Sequence, residues 1–273
     1  DRFESRGLGD VYKRQIFGLI LLAVVGVERP VEPQSKEAKP AADRPAELSF
    51  GQVWTVLRAS PQVAYFFGVL SLFTFSLFLQ EAVLEPYGGA IFGMDVCATT
   101  RLNAIWGVGT LVGIATTGFL LVPRLGPQRT ALLGGVLAGV FVLLMVVAGA
   151  VVSEPLFRLA LLLFGYAAGV STNASLTLML GLTSPALAGT FIGVWGLAQA
   201  YARGVATVTG GGLLSLFGGV FGGQDTYGAY ASVFVIQAVG LLLAGLLLLR
   251  VDTTLFQQRV QRALGDLLAL ELD

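Results

Sequence analysis

Six runs of roughly twenty apolar residues, separated by short polar stretches, dictate what this chain can fold into. At about 1.5 Å rise per residue, such a run matches the ~30 Å hydrocarbon core of a bilayer. A lipid-exposed segment must satisfy its backbone polar groups internally, which leaves the α-helix. The runs fall at about 61–79, 102–121, 131–152, 156–180, 189–208 and 227–249, and they predict an all-α membrane protein. Composition agrees, with 12% charged residues against about 25% in a soluble domain. Lys and Arg balance Asp and Glu. No global field therefore points to nucleic acid or an acidic substrate.

The flanks divide by composition. Residues 1–15, DRFESRGLGDVYKRQ, fit nothing that follows and resemble translated adapter sequence, so they are set aside. Residues 16–27 are apolar but too short to span, and read as the stump of a truncated helix. Residues 28–60 form a polar linker rich in Pro, Lys, Glu and Ala. Near its end Phe50, Val53, Trp54 and Leu57 repeat at i, i+3, i+4, i+7 as a short amphipathic helix. Ser60-Pro61 then starts the six-helix half-domain at 61–249. Residues 250–273 carry Leu255, Phe256, Val260, Ala263, Leu264, Leu267 and Leu268 on one face, predicting an amphipathic interfacial helix.

Lys and Arg counts orient the spans. Arg29, Lys36, Lys39, Arg44, Arg58, Arg124, Arg129, Arg250, Arg259 and Arg262 lie on one side. The opposite loops carry Arg101, with Arg158 just inside the fourth span. The linker, the 122–130 loop and the C-terminus are therefore expected to be cytoplasmic. Glycine pairs at small-xxx-small spacing, Gly109/Gly113, Gly135/Gly139, Gly165/Gly169 and Gly189/Gly193, predict close helix contacts. Trp106-Gly107 in the second span has an echo in Trp195-Gly196 in the fifth, a spacing that suits two inverted three-helix repeats.

Ionisable groups inside a membrane are costly and mark function or a fixed partner. In this orientation Gln80, Glu81 and Glu85 end the first span, while Arg101 and Asn103 begin the second. Arg158 begins the fourth, and Gln199 and Arg203 lie in the outer half of the fifth. These eight side chains are expected to converge at the outer leaflet, either as structural pairing at helix ends or as a ligand site. Asn173, alone in the inner half of the fourth span, is expected to make an interhelical hydrogen bond. Histidine is absent and Cys97 is the single cysteine. This excludes histidine-based catalysis, an internal disulfide and a thiolate metal cluster. No metal site and no nucleophile–base pair is visible, so an enzyme is not expected.

The stretch at 80–113, QEAVLEPYGGAIFGMDVCATTRLNAIWGVGTLVG, is the most specific. Pro86, Tyr87, Gly88 and Gly89 are expected to end the first helix and turn the chain. With GFLLVPRLGPQR at 118–129 and AGTFIGVWGLAQAYARG at 188–204, it resembles the PucC (BCD) family. These are major-facilitator-like proteins of phototrophs tied to light-harvesting complex assembly and (bacterio)chlorophyll handling. The resemblance runs from Phe50 to the C-terminus and implies the C-terminal six-helix half of a twelve-helix protein. It implies the bilayer, antenna polypeptides and (bacterio)chlorophyll as partners, in the cytoplasmic or photosynthetic membrane of a phototrophic bacterium. The alternative is a secondary transporter of a small amphiphilic solute. Val122 and Pro123 stand where the facilitator loop motif has an aspartate, a departure that argues against ordinary transporter gating. Without histidine, a pigment magnesium would need an oxygen donor from Glu81, Glu85, Asn103, Gln199, a backbone carbonyl or water.

Overall fold

In a computed structural model, residues 61–181, 188–221 and 225–250 are described, all within the compact unit 47–273. The expected stump, linker and both amphipathic helices fall within 1–60 and 251–273, which, with 182–187 and 222–224, lie outside the described residues. Among the described residues every regular element is helical. The order is α1 Pro61–Phe78, α2 Leu84–Phe92 and α3 Val96–Thr116. A π-helical turn Thr117–Leu121 and a short α4 Val122–Leu125 prolong α3. Then come α5 Pro127–Ala150, α6 Glu154–Gly181, α7 Ala188–Val220 and α8 Thr226–Leu248.

Among the described residues, four segments are long and apolar enough to cross a membrane: Val96–Leu125, α5, α6 and α8. Their starts follow local chemistry. Asp95 caps α3 by accepting a hydrogen bond from Ala98 N at 2.7 Å, so the helix begins six residues before the expected 102. Asp225 caps α8 in the same way through Gly228 N at 2.8 Å. Pro127, at the first position of α5, follows Gly126, whose φ of 80° reverses the chain. The 149–153 connection closes with Ser153 N donating to Ala148 O, and leaves Val152 at φ 50° where glycine is usual.

One expectation about a break is corrected. The first helix ends at Phe78 rather than at Pro86, and Pro86, Tyr87, Gly88 and Gly89 sit inside α2. A proline ring excludes the preceding helical turn but fits a first turn, so the chain breaks at 79–83 and restarts. The reversal falls instead at Gly93, in left-handed conformation at φ 65°. Gly210, Gly211 and Gly212 lie within α7, which runs on to Val220, past the expected end near 208. Gly210 abuts the Leu79 carbonyl so closely that a Cβ would collide with it.

Packing centres on α6, the most buried of the four spanning candidates. It contacts α5 and α3; α8 joins α5 to α1, and α1 lies against α7. Lipid tails match apolar side chains, so close dispersion contact and interhelical hydrogen bonds drive this association. The α3–α6 seam is a reciprocal glycine interlock. Gly109 and Gly113 face the Leu162 and Tyr166 carbonyls, while Gly165 and Gly169 face those of Trp106 and Thr110. Gly139 likewise admits Leu242 of α8. Gly189 and Gly193 meet nothing within 4 Å, so that pair is no contact among the described residues. Small residues permit close approach but do not create it.

Polar links complete the bundle. Asn173 Nδ2 donates to Ile114 O at 3.2 Å, an interhelical bond made where the α3 ladder widens into the π turn. A side chain drawing on the ladder is a known cause of such distortion. Ser171 Oγ donates to Ala131 O at 3.0 Å, and Gln237 Nε2 to Leu77 O at 3.2 Å.

Candidate functional site

The corner formed by the end of α1, the 79–83 turn, α2 and the start of α3 collects most of the sequence-selected polar residues. Its shape is fixed by Tyr87, fully buried, whose hydroxyl donates to Met145 O at 3.1 Å. Phe92, Phe157, Tyr230 and Phe234 ring it at centroid distances of 4.9 to 5.6 Å, the nearest being Phe234. Gly88 packs under Leu102, Met94 and Thr99. The Tyr-Gly of the signature string is thus an anchor that sinks α2 into the bundle, while Pro86 stays exposed.

Glu81, in the turn, is gripped by Arg203 of α7. Arg203 Nε donates to its two oxygens at 2.9 and 3.2 Å, and Nη2 donates to Oε1. Thr207 Oγ1, one helical turn further, adds a bond to Oε2 at 3.0 Å. The guanidinium also lies 4.5 Å from the centroid of the Phe78 ring, which meets Trp106 edge-on. Hydrogen bonding from Arg203 holds the Glu81 carboxyl below its ordinary value, outweighing the upward push of partial burial.

Glu85, half-buried in α2, is engaged differently: Asn103 Nδ2 of α3 donates to its Oε1 at 2.6 Å. The two glutamates do not share one helix face, because the break at 79–83 rotates them apart and gives each its own partner. Gln80 is buried with Oε1 lacking a hydrogen-bond partner. Gln199 is half-buried on α7, one turn before Arg203.

The other two arginines do not join this group. Arg158 pairs with Glu154 one turn earlier on α6. Arg101 is exposed and, with Arg158, lines a cleft between α3 and α6. Sequence reading missed Thr207 and Phe78. The i, i+4, i+8 series Gln199, Arg203, Thr207 was the available signal for the first. Phe78 looks like any core aromatic until Arg203 is placed over it. Among the described residues no cluster of three metal-ligating side chains is present.

A family model described as PUCC protein matches residues 3–256 of the chain. Among curated relatives, Protein PucC of Cereibacter sphaeroides is 30% identical over 74% of this chain and 45% of its own length. Protein PucC of Rhodovulum sulfidophilum is 31% identical over 60% of this chain and 36% of its own length. A Rhodobacter capsulatus protein named bacteriochlorophyll synthase 44.5 kDa chain is 31% identical over 81% of this chain and 52% of its own length. The chain spans about half the length, or less, of these relatives.

Proposed function

The chain belongs to the PUCC protein family, and from that premise we propose that it forms part of a membrane assembly factor for light-harvesting complexes in a phototroph. The carrying observation is the family match across residues 3–256. In this reading the described helices belong to a major-facilitator-like half of six spans, with α1 and α7 completing the four apolar candidates. The Lys and Arg asymmetry supports a C-terminus on the cytoplasmic side. The role is scaffolding rather than catalysis: the protein receives antenna polypeptides or (bacterio)chlorophyll and hands them on.

The polar corner is the proposed contact point. The Arg203–Glu81–Thr207 fork ties α7 to the 79–83 turn, and Asn103–Glu85 ties α3 to α2. Together they would hold the LEPYGG segment in shape for an antenna helix or a pigment headgroup. If a pigment magnesium is coordinated here, the oxygen donors are Gln199, exposed Asn103 through its Oδ1, and the Glu85 oxygen that Asn103 leaves free. Glu81 is committed to Arg203, and Gln80 is too enclosed for a macrocycle to reach. The transporter alternative is less favoured, because both carboxylates lie near helix ends and each already holds a partner.

The test is Glu81→Gln, Glu85→Gln and their double in the full-length protein in its native phototroph. Membrane level and antenna content are scored separately. Normal protein level with reduced antenna is expected; unchanged antenna in all three variants would make the corner purely structural.

A further inference from the structure

Away from that corner, a cleft of about 590 Å³ opens between α3 and α6. Arg101 and Arg158 form its polar end, and Ala104, Ile105, Val108 and Leu162 its apolar walls. Both arginines stand about one turn inside the N-termini of two helices that run in parallel from the same end of the bundle. The apolar lining continues from Arg101 to Val108, a rise of roughly 10 Å along the helix axis. Ala98 and Ala104 keep the entrance wide by their small size. The cleft is therefore graded, cationic at the level where a span begins and apolar toward the membrane interior.

The charges also have a definite balance. Glu154 pairs with Arg158, whereas Arg101 has no partner among the described residues. Those three groups leave one positive charge on the cleft, and a single phosphodiester would neutralise it. Guanidinium groups match phosphate bidentately. Two guanidinium groups above an apolar slot also distinguish a lipid from a soluble anion, which has no use for the slot.

We propose that this cleft binds an anionic membrane phospholipid, with its phosphate between Arg101 and Arg158 and the start of its acyl chains along Ile105, Val108 and Leu162. The full-length protein, purified in mild detergent, is mixed with phosphatidylglycerol, phosphatidylcholine or inorganic phosphate. Bound lipid is read by native mass spectrometry and stability by melting temperature. Phosphatidylglycerol is expected to be retained and to raise the melting temperature; phosphatidylcholine should be retained less, and phosphate should do nothing. Arg101→Ala with Arg158→Ala should lower phosphatidylglycerol retention by about tenfold or more, as expected for losing two charge-assisted hydrogen bonds. Ala104→Phe, at an exposed position, should plug the cleft and abolish retention while leaving the lipid-free melting temperature unchanged. If the arginine variant does not fold, Ala104→Phe decides alone. Retention unaffected by Ala104→Phe, or stabilisation by phosphate equal to that by phosphatidylglycerol, overturns the proposal.

Discussion

Replacing Gly109 with alanine tests whether the α3–α6 interlock holds the bundle together. A Cβ on Gly109 would stand 2.9 Å from Tyr166 N and 3.2 Å from Gly165 C, and nearer still to the Leu162 carbonyl oxygen. Ordinary contact begins near 3.4 Å, so the helices must part by up to about 1 Å. A gap of that size forfeits a quarter to a half of each dispersion contact it opens. Overpacking of this kind costs roughly 1–3 kcal/mol. Alanine also gains helix propensity, about 1 kcal/mol in water, and this would mask part of the loss. Gly107→Ala, in the same helix with nothing within 4 Å of its Cβ, carries the same gain without the clash. Gly109→Ala is therefore expected to be less stable than Gly107→Ala by roughly 1–3 kcal/mol, read by SDS-titration unfolding with circular dichroism. Gly109→Ala with Gly165→Ala should be less than additive, because one separation relieves both clashes. Equal stability of Gly109→Ala and Gly107→Ala would refute the interlock.

Val152→Gly should stabilise the protein by about 1 kcal/mol in the same titration, since a β-branched residue at positive φ is strained. Asp95→Ala should cost about 1 kcal/mol through loss of the α3 cap, again by chemical unfolding. Glu81 has a depressed folded pKa, so its contribution is full above the unfolded value and is lost as pH falls through the folded one. Melting curves in detergent from pH 7 to pH 3 should therefore fall more steeply in wild type than in Glu81→Gln. The difference should stay below about 1 kcal/mol because the pair is exposed. Membrane-impermeant maleimide added from outside should label exposed Cys97 and a thiol placed at Gln224, but not one at Ser35. The reverse pattern would invert the proposed orientation.

The helical class and most helix positions are legible in the order of the amino acids. Apolar runs of bilayer length leave the backbone no other way to satisfy its hydrogen bonds. Aspartates before α3 and α8, and Pro127 after Gly126, carry their boundary signals locally. The sequence also marked the polar residues that gather at the corner, because charge in such a chain is conspicuous. Partnership was beyond it. Glu81 and Glu85 lie four residues apart and would share a face on a continuous helix, yet the break before Pro86 sends one to Arg203 and the other to Asn103. Arg158 is equal to Arg203 as a sequence signal, but it spends its charge on Glu154 and faces a different cleft. Four small-xxx-small pairs look alike in the sequence; Gly109/Gly113 and Gly165/Gly169 lock together, while Gly189/Gly193 meets nothing. Backbone periodicity is a local property that sequence encodes directly. Which faces meet depends on the crossing of helices far apart in the chain, and only the tertiary packing decides that.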